Sequence, residues 1–537
     1  MRTDNSGQFA RMMGRVIALT MIVGAAQWSG AQEQRGFGMG PPCTPEIVAA
    51  ANAAVTKPMP PGPFKADWDS VKAGYKVPQW FVDAKFGLFM HWGLYSVPAY
   101  HNEWYEKHMY ATYRQWHAEH FGPQDKFGYK DFIPMFTCEK FNADDWATLF
   151  KKSGAKYVVP TAEHHDNFAL WDSDLTHIDA KEMGPKRDLI GELGSAVRKQ
   201  GLKFGVSNHG IENFTFIQPP ADLAEDLKAK GVDLFDPKWQ DIYHFADKSD
   251  LGVQKFLTDW VNRNLELIDK YQVDMLWFDN GVNHRYYDPL KLHVAAYYYN
   301  RAKEWGKEVS ISTKDSAYAP QGGDTHQIGS IVDFEKIGSR SPSGIRTGAW
   351  QVDDPIGTTW GYTSDMRVAG ANSIVSRLCD TVSKNGNLLL NLSPKADGTI
   401  PQEQQDTLLE VGRWLEMNGE AIYGTHAWIK FGEGGARGSN APNVRFTVKD
   451  QNLYAIIVGN YPTGEITISS IPTGAAEGSI SSITLLGSSG KVEYSQDVAG
   501  LKVKLPAEAP CKYGYVLKIA GLKMNPPLST PDGNPVQ

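Results

Sequence analysis

The chain has 537 residues, of which 42% are hydrophobic and 21% are charged, and its formal net charge is −7. These proportions are typical of a soluble globular protein, and the length allows one large domain and a smaller one. The sequence has no basic run or patch, so a nucleic acid is not expected as a partner.

The first 31 residues predict an export signal. Arg11 and Arg15 precede the apolar run Val16–Ala26, and small residues lead up to Ala31, before Gln32. Positive charge, a short apolar run and a small-residue cleavage site are the parts of a secretory signal peptide. Because the run is too short to span a bilayer, we expect an exported protein, periplasmic or extracellular. An uncleaved anchor is the alternative.

The four cysteines show no CxxC spacing, so a cysteine zinc site is not expected. An oxidising compartment permits disulfides, and four cysteines allow three pairings, between which the sequence does not choose.

Residues 32–63 are rich in Gly, Pro and Ala and are predicted to form a flexible leader with a short helix over Pro45–Val55. Strand-like and helix-like segments then alternate. The strands are predicted at Phe86–Trp92, Lys156–Thr161, Lys203–Ser207, from Val273 onward, and at Glu308–Thr313, Ile331–Glu335, Ala349–Val352 and Gly386–Leu392. The helices are predicted at Ala143–Ser153, Leu189–Gln200, Phe256–Tyr271, Lys291–Trp305, Ser364–Ser383 and Gln402–Asn418.

This alternation predicts an α/β fold, with a (β/α)8-like parallel barrel over residues 64–425 as the catalytic domain. A doubly wound open sheet is the alternative, although no G-x-G-x-x-G follows a strand.

After residue 425 the pattern changes to short alternating runs separated by Gly, Ser and Asn, which predicts a C-terminal antiparallel β-sandwich over residues 426–522. Its strands are predicted at Val444–Lys449, Leu453–Val458, Glu465–Ile468, Ile483–Leu486 and Tyr513–Ile519. The glycine-rich Gly432–Gly438 is predicted to be a loop, and the Pro-rich residues 523–537 a disordered tail.

The stretch Val273–Gly281 predicts a buried strand that ends by presenting a carboxylate. Its sequence is V-D-M-L-W-F-D-N-G, in which Asn280 and Gly281 are a turn signal. Side chains alternate along a strand, so Trp277 and Asp279 share one face. In a parallel barrel Asp279 would lie at the C-terminal mouth, where such folds hold their active sites. The alternative is an aspartate that only begins a turn.

Polar residues also stand where the other predicted strands end. They are His91 with Glu103 and Trp104 in the following loop, His164, His165 and Asp166, Asn208 and His209, Lys314 and Asp315, and Glu335. A ring of hydrogen-bonding groups around carboxylates suits a sugar pocket, because each hydroxyl needs a donor or acceptor. The run His164-His165-Asp166 could ligate a metal, but adjacent residues on a strand point to opposite faces. Neither a metal nor another cofactor is therefore expected.

These motifs resemble glycoside hydrolase family 29, the retaining α-L-fucosidases, from about Trp80 to Gly424. The resemblance is carried by F-G-L-F-M-H-W-G (Phe86–Gly93), Y-S-V-P (Tyr95–Pro98), E-W-Y (Glu103–Tyr105), H-H-D-N-F (His164–Phe168), W-F-D-N-G (Trp277–Gly281), W-G-Y (Trp360–Tyr362) and N-G-N-L-L-L-N-L-S-P-K-A-D-G-T-I (Asn385–Ile400). The family pattern also includes a C-terminal β-sandwich.

The resemblance implies that Asp279 attacks the anomeric carbon of fucose in fucosylated oligosaccharides or glycoconjugates. A second carboxyl group, about 5–5.5 Å away, would protonate the leaving oxygen and then activate water. The resemblance further implies that Trp277 packs near the sugar methyl group. The residues that would hold the fucose hydroxyls are His91, Glu103, Trp104, His164 and His165.

The family marks its acid/base residue by no single motif. We predict Glu335, which follows a predicted strand, with Asp353, Asp354 and Glu212 as the alternatives.

Two departures from the family pattern concern strand ends. Many members have Tyr-Tyr-Ser at strand three, where this chain has Ser207-Asn208-His209, so His209 is predicted to supply that contact. Lys314 stands near where some members have arginine, and it is predicted to contact the substrate. A hydrolase of another galactose-like sugar and a sugar-binding protein without catalysis are the alternative functions.

Overall fold

The computed structural model describes residues 40–284, 286–314, 317–320, 327–435 and 442–527. The predicted signal peptide over residues 1–31, the predicted strand-end residue Asp315, the end of the predicted glycine-rich loop and residues 528–537 of the predicted tail lie outside these ranges.

Eight parallel strands close into a barrel in sequence order. They are β1 (Phe86–Met90), β2 (Tyr157–Glu163), β3 (Lys203–Asn208), β4 (Met275–Phe278), β5 (Ser310–Lys314), β6 (Ile331–Glu335), β7 (Trp350–Pro355) and β8 (Gly386–Leu392). All residues of β1, β2, β4, β5 and β8 are buried, as is typical of parallel strands that are covered on both faces. Because β1 pairs with β8, the barrel is confirmed and the open-sheet alternative is wrong.

Helices cover the outside of the barrel. The helices of the barrel domain span Trp68–Gly74, Gln79–Ala84, Tyr105–Met109, Arg114–His120, Ala143–Lys152, Leu189–Lys199, Asn213–Phe216, Ala221–Ala229, Gln240–Tyr243, Asp250–Tyr271, Asp288–Trp305, Ala371–Ser383 and Gln402–Asn418. Among the described helices, none has both the length and the apolar character needed to cross a bilayer.

One predicted helix starts late. The expected helix over Ser364–Ser383 begins only at Ala371. The preceding residues form a loop in which Val368 bridges Gly357 and the N–H of Ala369 donates to the carbonyl of Ile356. Backbone groups satisfied in this way are not available to a helix.

The leader is packed from residue 40 onward, whereas a flexible leader with one short helix was predicted. Its helix spans Pro45–Ala53. Thr44 caps the N-terminus of this helix, because its side chain accepts from the N–H of Ile47. Ala51 is fully buried. Lys57 pairs with Asp269 of a barrel helix at 2.6 Å. The predicted flexibility failed because Gly, Pro and Ala content does not show which apolar faces find a partner.

A C-terminal domain follows, with a five-stranded and a three-stranded antiparallel sheet. Its strands are β9 (His426–Glu433), β10 (Val444–Lys449), β11 (Asn452–Ile457), β12 (Glu465–Ile468), β13 (Gly478–Leu485), β14 (Glu493–Asp497), β15 (Gly500–Lys504) and β16 (Tyr515–Leu522). Residues from both sheets, such as Phe446 and Val503, share one apolar core. The sandwich prediction is confirmed, although β9, β14 and β15 were not predicted. Gly432 belongs to β9 rather than to a loop. Met524, in the predicted disordered tail, is buried.

Candidate active site

The predicted site residues meet at the C-terminal mouth of the barrel. The strand registers place Asn208 beside Phe278, Phe278 beside Thr313, and Glu335 beside Asp353, so the residues that follow these strands emerge at one end. Ring and ion-pair contacts then link His91, Trp104, His164, His165, His209, Trp277, Asp279, Lys314 and Glu335. Glu103 accepts a hydrogen bond from the N–H of Gly361. The neighbouring residue Trp360 has its ring 5.1 Å from that of His91, so Glu103 lies close to the same group.

Asp279 follows β4 and lies at the centre of this arrangement. Its Oδ2 is 3.0 Å from Nδ1 of His209, and its Oδ1 accepts from the N–H of Asn280 at 2.8 Å. Burial opposes a charge on this carboxyl, but the hydrogen bond from His209 and the positive charge of Lys314 outweigh burial and lower its pKa. Asp279 is thus an ionised carboxylate at the mouth of the barrel, as a nucleophile must be. It also begins a 3-10 turn, as the turn alternative predicted.

Glycine after Asp279 is required by close packing. A Cβ atom at Gly281 would lie 2.5 Å from Cγ2 of Ile211 and 2.6 Å from Cγ of Glu212. The N–H of Gly281 donates to Oε1 of Glu212 at 2.8 Å. The D-N-G sequence therefore fixes Asp279 against the loop that follows β3.

Four carboxyl groups were predicted to compete for the acid/base role, and solvent access separates them. The side chain of Glu335 is 30% exposed, whereas those of Asp353, Asp354 and Glu212 are 2%, 9% and 0% exposed. A group that protonates a leaving oxygen and then activates water has to be reached by both. Of the four, Glu335 meets this condition best.

The three less exposed carboxyls have other partners. Both oxygens of Asp353 bind Nζ of Lys314, at 2.9 and 2.8 Å. Asp354 accepts from Arg377 at 2.7 Å. Oε2 of Glu212 lies 3.5 Å from Nδ1 of His165, and burial, then the charge of Asp279, raises the pKa of Glu212 well above its usual value.

Lys314 lies between carboxyl groups, and Asp353 takes two of its hydrogen bonds. Besides Asp353, its Nζ is 3.6 Å from Oε2 of Glu335 and 5.4 Å from the centre of the Trp277 ring. Burial opposes its charge, but Asp353 and Asp279 outweigh burial and raise its pKa. Lys314 therefore supplies a fixed positive charge next to Asp279.

Burial lowers the pKa of three histidines of the mouth, namely His91, His164 and His165, the last to about 3. Neutral imidazoles both donate and accept hydrogen bonds, which suits them to hydroxyl groups. Burial also raises the pKa of Glu103.

His164 and His165 were predicted to point to opposite faces of a strand, and this prediction is wrong. Strand β2 ends at Glu163, so both lie in the following loop, and their ring centres are 4.2 Å apart. Asp166 turns away and accepts from the hydroxyl of Tyr129 at 2.8 Å.

Two other groups have ring nitrogens and carboxylate oxygens close enough to hold a metal: His91, His164 and His209, and His165, His209 and Asp279.

Tryptophans form the floor and part of the rim. Trp277 is buried, with Nε1 donating to Asp333 at 2.6 Å and its ring 5.0 Å from that of His209. Trp104 is half-buried at the rim, its ring 6.2 Å from His165.

The residues that support the mouth from behind were not predicted from the sequence. Asn391, near the end of β8, accepts from Nδ1 of His91 at 2.8 Å, and Asp333 accepts from Trp277 and from Gln351, both at 2.6 Å. Asn391 lies in a motif that carried the resemblance, so this motif was the available signal. Asp333 gave none, because a single polar residue within a strand has no characteristic pattern.

Comparison with known proteins matches both domains. A family model described as "Alpha-L-fucosidase" matches residues 51–420, and one described as "Alpha-L-fucosidase C-terminal domain" matches residues 437–520. The chain is 31% identical over 506 residues to tissue alpha-L-fucosidase of Homo sapiens, covering 89% of this chain and 96% of that protein. It is 30% identical over 495 residues to the Rattus norvegicus protein of the same name, covering 88% and 94%.

The chain is also similar to solved structures of α-fucosidases. The structure of Thermotoga maritima alpha-fucosidase in complex with fucose superimposes with a TM-score of 0.67 at 30% identity, covering 85% of this chain and 100% of that one. The same enzyme in complex with a mechanism based inhibitor gives a TM-score of 0.67 at 31% identity, with the same coverage.

Proposed function

The chain belongs to the α-L-fucosidase family of glycoside hydrolases, and we propose that it is an exported, exo-acting enzyme that removes terminal α-L-fucose from fucosylated oligosaccharides or glycoconjugates with net retention of configuration. The observation that carries the proposal is Asp279 at the barrel mouth, whose pKa is lowered, together with a second and partly exposed carboxyl group, Glu335, at the end of β6.

In the first step an oxygen of Asp279 forms a bond to the anomeric carbon of fucose. The bond from that carbon to the leaving oxygen breaks, and Glu335 transfers its proton to this oxygen. In the second step Glu335 takes a proton from water while the water oxygen attacks the anomeric carbon, which releases Asp279 and α-fucose. The low pKa of Asp279 supports its role as nucleophile and leaving carboxylate, and the exposure of Glu335 supports proton exchange with water.

Sugar hydroxyls would be bound by the buried polar groups of the mouth. The proposed substrate-binding residues are His91, Glu103, Trp104, His164, His165, His209, Trp277 and Lys314. His209 binds Asp279 directly, so it would orient the nucleophile as well as contact the sugar. Lys314 would act through its charge, since Asp353 takes two of its hydrogen bonds.

Export is supported by the sequence of residues 1–31 alone. Amino-terminal sequencing of protein recovered from the periplasm or the medium should give Gln32 as the first residue. Protein that keeps Met1 and stays with the cells would contradict export.

The decisive experiment is NMR of 4-nitrophenyl α-L-fucoside during early hydrolysis by the purified protein. We expect α-fucose as the first anomer released. Initial β-fucose would mean inversion and would refute the role of Asp279 as nucleophile. Absence of fucose release would favour another galactose-like substrate if a panel of aryl glycosides were cleaved. It would favour a sugar-binding protein if fucose bound without any hydrolysis.

A further inference from the structure

Three histidine rings from three different strand ends converge within the mouth. One ring nitrogen of each of His91, His164 and His209 lies within 4.8 Å of one ring nitrogen of each of the other two. The ring centres are 4.7 to 5.4 Å apart, and all three side chains are buried. His209 belongs to Ser207-Asn208-His209, the stretch at the end of strand three that differs from the Tyr-Tyr-Ser of many family members.

Oxygen acceptors face the Nδ1 atoms of two of these rings. Nδ1 of His91 faces Oδ1 of Asn391 at 2.8 Å, and Nδ1 of His209 faces Oδ2 of Asp279 at 3.0 Å. An oxygen acceptor at Nδ1 keeps the proton there and leaves a lone pair on Nε2. Metal-binding histidines characteristically donate their other N–H to a carboxylate or a carbonyl oxygen in this way.

The other contacts of these rings are with a hydroxyl group and with neighbouring aromatic rings. Nε2 of His209 is 3.0 Å from Oγ of Ser207, a hydroxyl that can rotate to give up this bond. The ring of His164 touches those of Tyr95, His165 and His209. Asp279, bound behind His209, places a negative charge next to the group, and the positive charge of Lys314 offsets part of it.

We propose that His91, His164 and His209 bind one Zn²⁺ ion, and that this ion and the sugar exclude each other from the mouth. Imidazole nitrogen is a preferred ligand of zinc, and three such nitrogens with water in the fourth position form a familiar zinc site. Zn–N bonds are about 2.0–2.1 Å long, so each of the three nitrogens would have to reach this distance from one ion. The metal is an inhibitor in this proposal and takes no part in hydrolysis.

The test is titration of Zn²⁺ into the full chain by calorimetry, with protein prepared without a polyhistidine tag and treated with chelator. We expect one ion per chain. His164→Gln and His209→Gln should each weaken binding by more than about tenfold, since even a change behind a ligand costs about 10- to 100-fold. His165→Gln is the matched control, because it alters the neighbouring ring but none of the three ligands, and it should bind Zn²⁺ as the unaltered protein does.

Co²⁺ provides a second measurement that does not depend on affinity alone. Its visible absorption should indicate tetrahedral nitrogen ligation in the unaltered protein and in His165→Gln, and this signal should be absent in His164→Gln, with thermal unfolding used to confirm that each variant is folded. The proposal would be overturned by no zinc binding, by binding that survives both ligand substitutions, or by loss in His165→Gln with retention in His164→Gln, which would assign the ion to the group containing Asp279.

Mutual exclusion is tested by repeating the zinc titration in saturating L-fucose, and this part rests on the proposed function. Weaker zinc binding in the presence of fucose supports the overlap, and unchanged binding with fucose bound refutes it. If the metal-free protein binds no fucose, the proposed function fails, while the direct zinc titration still decides the metal site.

Discussion

Glu212 offers a sharp test of how Asp279 is held in place. The carboxyl group of Glu212 is wholly buried, accepts from the N–H of Gly281 at 2.8 Å, and has a pKa raised well above its usual value by burial and then by Asp279. A protonated carboxyl group at this position is closely matched by an amide. We therefore expect Glu212→Gln to keep most of the activity and Glu212→Ala to lose it.

The size of the loss follows from one hydrogen bond. In Glu212→Ala the buried N–H of Gly281 has no acceptor, which costs about 1–3 kcal/mol. Gly281 lies two residues after Asp279, so the loop can recover this bond only by moving Asp279. If the whole cost appears in the transition state, kcat/KM falls up to about 100-fold, because each 1.36 kcal/mol is tenfold in rate.

The assay compares kcat/KM of the two variants on 4-nitrophenyl α-L-fucoside, together with their thermal unfolding from pH 5 to 9. The folded protein holds the proton of Glu212 to a higher pH than the unfolded chain does, so this group makes the protein less stable as pH rises above the unfolded pKa of about 4.3. Glu212→Gln lacks this titration. Its Tm relative to the unaltered protein should therefore rise with pH.

Equal damage by Glu212→Gln and Glu212→Ala would refute this account, because it would mean that the negative charge of Glu212 is required. A Tm difference between Glu212→Gln and the unaltered protein that does not depend on pH would contradict the raised pKa.

Three other changes test the nucleophile, the acid/base and the support of the mouth. Asp279→Gly should abolish turnover while fucose still binds in calorimetry, because the attacking oxygen is gone; measurable hydrolysis would move the nucleophile elsewhere. Glu335→Ala should slow the reaction and regain rate with azide, giving α-fucosyl azide by NMR, since azide needs no general base; a β product or no rescue would return the role to another carboxyl group. Arg263→Ala removes the 2.6 Å partner of Glu163, the last residue of β2. It should lower the free energy of unfolding in urea by about 3–5 kcal/mol, because a buried carboxylate loses its cation. The double variant Arg263→Ala, Glu163→Gln should recover part of this, and a loss as large as in the single variant would show that lost packing is the cause.

The strand ends were predictable because each depends on a short stretch of sequence. The apolar run before Asp279 gives β4, and the D-N-G turn stops it, so the position of the carboxylate follows from local chemistry. Alternation of strands and helices then predicts a barrel, and a barrel brings the ends of all its strands to one mouth. The resemblance to a family added roles to residues that this geometry had already gathered.

Partnerships across the barrel were not predictable. Lys314 and Asp353 belong to β5 and β7, which do not adjoin in the sheet, and only the closed barrel brings their side chains to 2.8 Å. This pairing, and the burial of Glu212 and Asp354, is what separates the four candidate carboxyl groups. The sequence gives each of them the same charge and a similar place after a strand.

Charge type and local conformation are properties of a few consecutive residues, and so the sequence by itself determined the barrel, the position of Asp279 and the polar ring. Solvent access, pKa and the packing of residues 40–63 depend on atoms that lie far apart in the chain. Only the tertiary structure decides these, because burial and electrostatic interaction are set by distance in space.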